Sequence, residues 1–191
     1  MSTLIFIVTF FTLLIIFIKG LINLYKRRPV ALLVRIFSAM VCFYTLGWLV
    51  CYFTSANIPV ALGTNICFDD WCATVTQIEK QQSNNTQLIV LHIKMSNQAR
   101  GIAQKPSQPS VKIIDSNGNY YYPSAAAQQT LQKQIGKQAP LDVRLELHQQ
   151  IETQIAFQIP ADKKNLIALI EEGPFITKLL FYADKEVFQI K

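Results

Sequence analysis

Two uncharged apolar stretches near the N-terminus, residues 2–18 and 36–53, flank a short basic loop, and nothing else constrains the fold as tightly. As a helix each would rise about 27 Å, close to the hydrocarbon thickness of a bilayer. Between them stand Lys19, Lys26, Arg27, Arg28 and Arg35. Short loops rich in Lys and Arg stay on the cytoplasmic side. The pattern predicts a two-helix transmembrane anchor over residues 1–54, with spans of about 2–18 and 33–53. The lipid bilayer is then the partner of residues 2–53, the loop 26–28 is cytoplasmic, and the rest of the chain lies outside. Arg35 stands where a long stem reaches the inner headgroups, and Trp48 and Tyr52 stand toward the outer interface. Pro29 suits the first turn of a helix, which has no use for its missing N–H.

A cleaved signal peptide needs a basic residue before the apolar run and a small-residue cleavage site after it. Residues 1–3 are uncharged, the run ends in Lys19-Gly20, and Leu49-Val50-Cys51 lacks the small residues of a lipoprotein box. A retained anchor is the expectation.

The net charge of +6 invites a nucleic-acid reading until it is located. Residues 1–53 carry five basic and no acidic side chains, whereas residues 54–191 carry thirteen Lys and Arg against twelve Asp and Glu. The basic excess is juxtamembrane, and a nearly neutral domain has no broad basic face for phosphates.

After a tether over residues 55–64, residues 65–191 are long enough for one domain with its own core. Its periodicity is that of half-exposed strands. Ile89, Leu91, Ile93 and Met95 alternate with Val90, His92 and Lys94. Leu141, Val143, Leu145 and Leu147 alternate with polar residues, as do Ile151, Ile155, Phe157 and Ile159. Ser116-Asn117-Gly118-Asn119 between 111–115 and 120–122 signals a hairpin, because Asn-Gly tolerates positive φ. Turns are also expected at 83–85 and 161–165, and Gly173-Pro174 breaks the chain before a strand at 175–182. Residues 124–134, rich in Ala and Gln, suit a short helix capped by Ser124. Residues 99–109 read as a long connection. The fold class is mainly β, a two-sheet antiparallel sandwich with one short helix behind a two-helix hairpin.

Cys67 and Cys72 bracket Phe68-Asp69-Asp70-Trp71. Outside the cytoplasm they are expected to form a disulfide, which requires the Asp-Asp segment to turn, since a straight strand would hold them about 17 Å apart. Two free thiols or a thiolate metal site are the alternatives, and the latter lacks ligands because the chain has two histidines. Asp69 and Asp70 are candidate calcium ligands, although adjacent carboxylates in a turn are more often simply solvated. His92 and His148 fall on polar strand phases, which suits surface residues better than ligands or bases. Tyr120-Tyr121-Tyr122 offers either an aromatic binding surface or alternate rings packing inward. Asn84-Asn85-Thr86 matches a glycosylation sequon. No motif supports a nucleophile, a phosphate loop or an acid–base pair, so no catalytic residue, cofactor or metal is assigned.

Cys67-Phe68-Asp69-Asp70-Trp71-Cys72-Ala73-Thr74-Val75, together with Ile155-Ala156-Phe157-Gln158-Ile159-Pro160 followed by Leu166, carries a resemblance. It is to a bacterial family of immunoglobulin-like domains of unknown function. Members of that family are often mislabelled telomeric repeat-binding factors, and their fold is similar to that of a secreted mycobacterial immunogenic protein. The resemblance covers roughly residues 60–190 and implies an immunoglobulin-like sandwich without an assigned catalytic residue. A Pro-Gly turn that the family places before the Phe-x-x-Pro strand is replaced here by Gln149-Gln150. The expected function is a non-enzymatic, membrane-anchored binding or envelope-associated module with a protein partner and no nucleic acid. The alternatives are a small-ligand or ion sensor and, third, a hydrolase.

Overall fold

The computed structural model describes residues 3–27, 29–54, 57–83, 85–174 and 185–190. Arg28, Asn84 of the sequon and the strand expected at 175–182 lie outside them, as do the side chains of Trp48, Cys51 and Tyr52. Apolar residues with no interior proline form α1 (Thr3–Tyr25) and α2 (Ala31–Thr54). Helix α1 runs through Lys19 and Gly20, past the expected end of the span, because neither residue is a strong enough breaker to stop an apolar helix. The break comes at Arg27, whose φ of 52° is left-handed, just ahead of Pro29. Lys19 therefore sits on the helix and not in the loop.

By length and composition, 18 residues of α1 (Val8–Tyr25) suffice to cross a membrane, with a mean hydropathy of 2.0 and none of them buried in the protein. In α2 the described side chains give an apolar stretch of Ala31–Gly47, with Trp48 and residues 51–54 lying outside them. Thus one helix among the described residues, where two were expected, has the length and apolarity of a full span. The Thr12 and Thr45 hydroxyls each donate to the carbonyl four residues back at 2.8 Å, which satisfies them without water. The two helices meet through Phe17 and Phe37, ring centroids 6.5 Å apart.

The β-rich part is a separate compact unit. Its elements are β1 (Asn57–Val60), β2 (Ile66–Phe68), β3 (Trp71–Gln82), β4 (Thr86–Asn97), β5 (Ser110–Ile114), β6 (Tyr120–Tyr121), α3 (Ala125–Ile135), β7 (Gln150–Pro160), β8 (Leu166–Glu171) and β9 (Lys185–Ile190). One sheet has the order β1-β9-β8-β5-β6 and the other β2-β3-β4-β7. The inward phases meet as the period-two pattern requires: Ile89, Leu91, Ile93 and Met95 of β4 are fully buried with Phe157 and Ile159 of β7, Ile113 of β5 and Phe188 of β9. Each such side chain contributes about 1.5–3 kcal/mol of burial free energy. The mainly β, two-sheet sandwich is the expected architecture.

Three local expectations need correction. Residues 57–60 do not belong to a tether: they form β1, which pairs in parallel with β9. The sheets are therefore not wholly antiparallel. Pro59 is tolerated there because β1 is an edge strand, and Val60 packs against the core. Residues 141–147 alternate as a strand should, yet only Leu145 pairs, in an isolated bridge with Gln104. Leu141, Val143 and Leu145 do face the core. Alternation reports which side chains face inward, whereas a strand also needs a neighbour free along its length. His148 then ends the extended run with a φ of 58°, so it stands in a turn and not on a strand.

Candidate functional site

Among the described residues of the sandwich, the hairpin β5–β6 builds the most exposed aromatic surface. Asp115 directly follows β5 with its side chain only 1% exposed, and both its oxygens are occupied. Oδ1 accepts from the backbone N–H groups of Asn117 and Asn119, each at 2.9 Å. Oδ2 accepts from Asn119 Nδ2 at 2.8 Å and from the Tyr121 hydroxyl at 3.1 Å. The Asn119 amide is the largest influence holding the Asp115 carboxyl down to about 2, against an opposing push from burial. Burial, reinforced by Asp115, raises the Tyr121 hydroxyl. Gly118, at a φ of 80°, supplies the left-handed residue that the turn demands.

With Tyr121 fixed inward against the core, alternation sends Tyr120 and Tyr122 out, 48% and 62% exposed. Lys112 stands between them, its Nζ 5.7 Å and 5.9 Å from the two ring centroids. The same Nζ donates to Glu171 Oε2 at 2.7 Å, which offsets its charge. The arrangement offers ring faces and phenolic hydroxyls to a flat surface and holds no group placed for bond making. Sequence reasoning found the tyrosines but missed Lys112. The hairpin register pairs Ile113 with Tyr121, so extending it by one residue would have placed Lys112 opposite Tyr122.

Cys67 and Cys72 are disulfide-bonded, directly opposed in the β2–β3 register with Cα atoms 4.0 Å apart. The turn between the strands is Asp69-Asp70, with Asp69 at a φ of 60°. Asp70 is tied to the following loop, its carbonyl accepting from Gln98 N at 2.8 Å and its Oδ2 from Gln104 Nε2 at 3.3 Å. Among the described residues no third carboxylate, His or Cys joins the pair.

His92 Nε2 lies 2.9 Å from Glu79 Oε1, which also accepts from Gln77 Nε2 at 3.3 Å. The nearby Thr76 hydroxyl donates to the backbone carbonyl of His92, not to its ring. The hydroxyl nearest the pair is thus engaged by a backbone carbonyl, and His148 is elsewhere in its turn. The cavity lined by Lys105, Pro106, Gln108, Pro109, Leu141 and Asp142 encloses about 550 Å³ and mixes polar with apolar walls. Its Lys105–Asp142 ion pair at 3.5 Å is more than half exposed on both sides. This is not a convergent apolar pocket of the kind that holds a small ligand.

One solved structure shares the fold, and two others are more distantly similar. A conserved hypothetical protein from Bacillus anthracis superposes with a TM-score of 0.50 at 17% identity, covering 69% of this chain and 94% of that one. An uncharacterized β-sandwich protein from Clostridium difficile matches at 0.46 and 13% identity over 72% of this chain and 96% of its own. A secreted protein from Mycobacterium tuberculosis matches at 0.46 and 13% identity over 72% and 100%. At such identities the first of these speaks to the fold alone. No family model and no curated protein matches the chain.

Proposed function

We propose that the chain is a membrane-anchored, non-enzymatic binding or envelope-associated module, an immunoglobulin-like sandwich presented outside the cytoplasmic membrane to a protein partner. The observation that carries the reading is the Tyr120–Lys112–Tyr122 surface. It is exposed, aromatic and set by Asp115 through Tyr121, whereas the cavity of mixed polar and apolar walls does not favour a small-ligand sensor. The Cys67–Cys72 disulfide suits an oxidising compartment, and α1 suits a membrane anchor. In this reading the hairpin crosses the inner membrane twice with residues 26–28 in the cytoplasm, and the domain belongs with the bacterial immunoglobulin-like family of unknown function. A nearly neutral domain leaves nucleic acid out of the account.

A photo-crosslinking amino acid in place of Tyr122, used in intact cells, tests the surface. A discrete protein adduct is expected there, lost when Tyr120 is changed to Ala and absent when the probe replaces exposed Lys137. Adducts independent of position would overturn the reading. Cysteines introduced from residue 60 onward should react with an impermeant maleimide from outside, and labelling solely from the cytoplasmic side would reverse the topology.

A further inference from the structure

Each sheet of an open sandwich ends in two edges, and an edge strand is a template for another strand. Among the described residues three of the four edge strands are short, although β2 covers only Trp71–Ala73 and leaves the rest of β3 beyond it. Strand β1 has four residues and a proline, β6 has two residues, and β2 has three and is bridged to β3 by Cys67–Cys72. The fourth, β7, is eleven residues long and carries one charged residue, Glu152.

The middle of that edge is covered by side chains in place of a strand. Gln128 of α3 acts like a peptide group: its Nε2 donates to the Gln154 carbonyl and its Oε1 accepts from Ala156 N, each at 2.9 Å. Gln138 Oε1 accepts from Gln154 N at 3.1 Å, and Ser124 N donates to the Ala156 carbonyl at 2.9 Å. All four outward-facing backbone groups of Gln154 and Ala156 are thereby satisfied in cis. The helix itself is lightly held. It has no buried residue, and its inward face at helical spacing is Ala127, Gln128, Leu131 and Gln132, half of it polar. Lifting it removes little apolar area from contact but opens a strand-pairing edge.

We propose that the outer edge of β7 is a strand-addition site that α3 keeps closed, and that its occupant when α3 lifts is the β7 edge of a second copy, antiparallel about Ile155. The edge is complementary to itself. A two-fold axis at Ile155 sets Gln154 opposite Ala156, and in an antiparallel ladder such a pair exchanges both hydrogen bonds. The four groups capped by Ser124, Gln128 and Gln138 are the four this pairing uses. The next outward pair sets Glu152 opposite Gln158, so no like charges meet. Two four-stranded sheets then become one of eight. The surface is distinct from the tyrosines of β6 and does not depend on their partner.

The test uses the full chain in detergent micelles, with C42S and C51S to remove other thiols. Copies carrying E152C are mixed with copies carrying Q158C and treated with a short bismaleimide. Wild-type Gln128 should give little crosslink, and Q128A should raise the yield on the order of tenfold, the weight of two lost hydrogen bonds. A peptide of residues 150–160 should suppress that rise. An unchanged yield in folded Q128A, an equal yield between E152C copies alone, or equal suppression by a scrambled peptide would overturn the proposal. Amide exchange of the wild-type chain gives an independent measurement that needs no variant. The N–H groups of Gln154 and Ala156 should exchange faster than those of Ile155 and Phe157, which face β4; exchange of all four at one rate would show that α3 does not open separately and would overturn it.

Discussion

Asp115 and Asn97 are both buried polar side chains that take several hydrogen bonds, yet they organise the molecule in opposite ways. The hydrogen bonds to the Asp115 side chain come from within six residues, in the turn from Asn117 to Tyr121, and Lys163 adds a long ion-pair contact at 4.0 Å. Asn97, 1% exposed at the end of β4, reaches across the chain. Its Nδ2 donates to the carbonyls of Ile102, Leu145 and Glu146 at 2.9, 3.1 and 3.2 Å, while its Oδ1 accepts from Ala99 N at 2.8 Å. One residue shapes a hairpin already implied by its own neighbours. The other fastens two irregular connections, 99–109 and 141–149, to the end of β4. Buried polar groups can thus secure either local conformation or long-range topology, and the span of their bonds says which.

That contrast predicts unequal costs. Asn97→Ala strands several buried backbone groups at once and should cost about 2–4 kcal/mol in denaturant unfolding. Amide protection should fall at both 99–104 and 141–149; a loss confined to 97–99 would break the comparison. Cys67→Ser with Cys72→Ser removes a cross-link between residues five apart and should cost about 2 kcal/mol by the chain-entropy model. Mass spectrometry of the unreduced wild type should show Cys67 and Cys72 joined to each other, not two free thiols.

Asp115 should reveal itself through pH. Its carboxyl is held at about 2 in the fold, below its ordinary value of 3.8. The stabilisation it brings is therefore present above the unfolded pKa and lost as pH falls through the folded one. Wild-type stability should decline between about pH 4 and 2 by a component that is missing in Asp115→Asn. Exchange changes in that variant should stay within 111–122, which sharpens the contrast with Asn97. The smallest effect belongs to Ser124, whose Oγ accepts from Ala127 N at 3.3 Å; Ser124→Ala should cost about 0.5–1 kcal/mol, measured by denaturant unfolding.

The same division runs through what the amino-acid order revealed. The Asn-Gly hairpin, the Ser124 cap and the Asp-Asp turn between paired cysteines were legible because each is decided by residues within a few positions. Strands β4 and β7 were legible from alternation. The patch was half legible, its tyrosines visible as a run and Lys112 only through register.

By itself the sequence determined the apolar N-terminal helices, the inward phase of β4 and β7 and the local turns, because periodicity and backbone preference act over short range. Only the tertiary structure decided that 57–60 would join β9 in parallel and that 141–147 would pair through Leu145 alone. It also decided that glutamines of α3 and its following loop would stand in for a strand along β7. A hydrogen-bonding edge is filled by whatever donor and acceptor the fold brings within about 3 Å, and that proximity is a property of the packed chain, not of any segment.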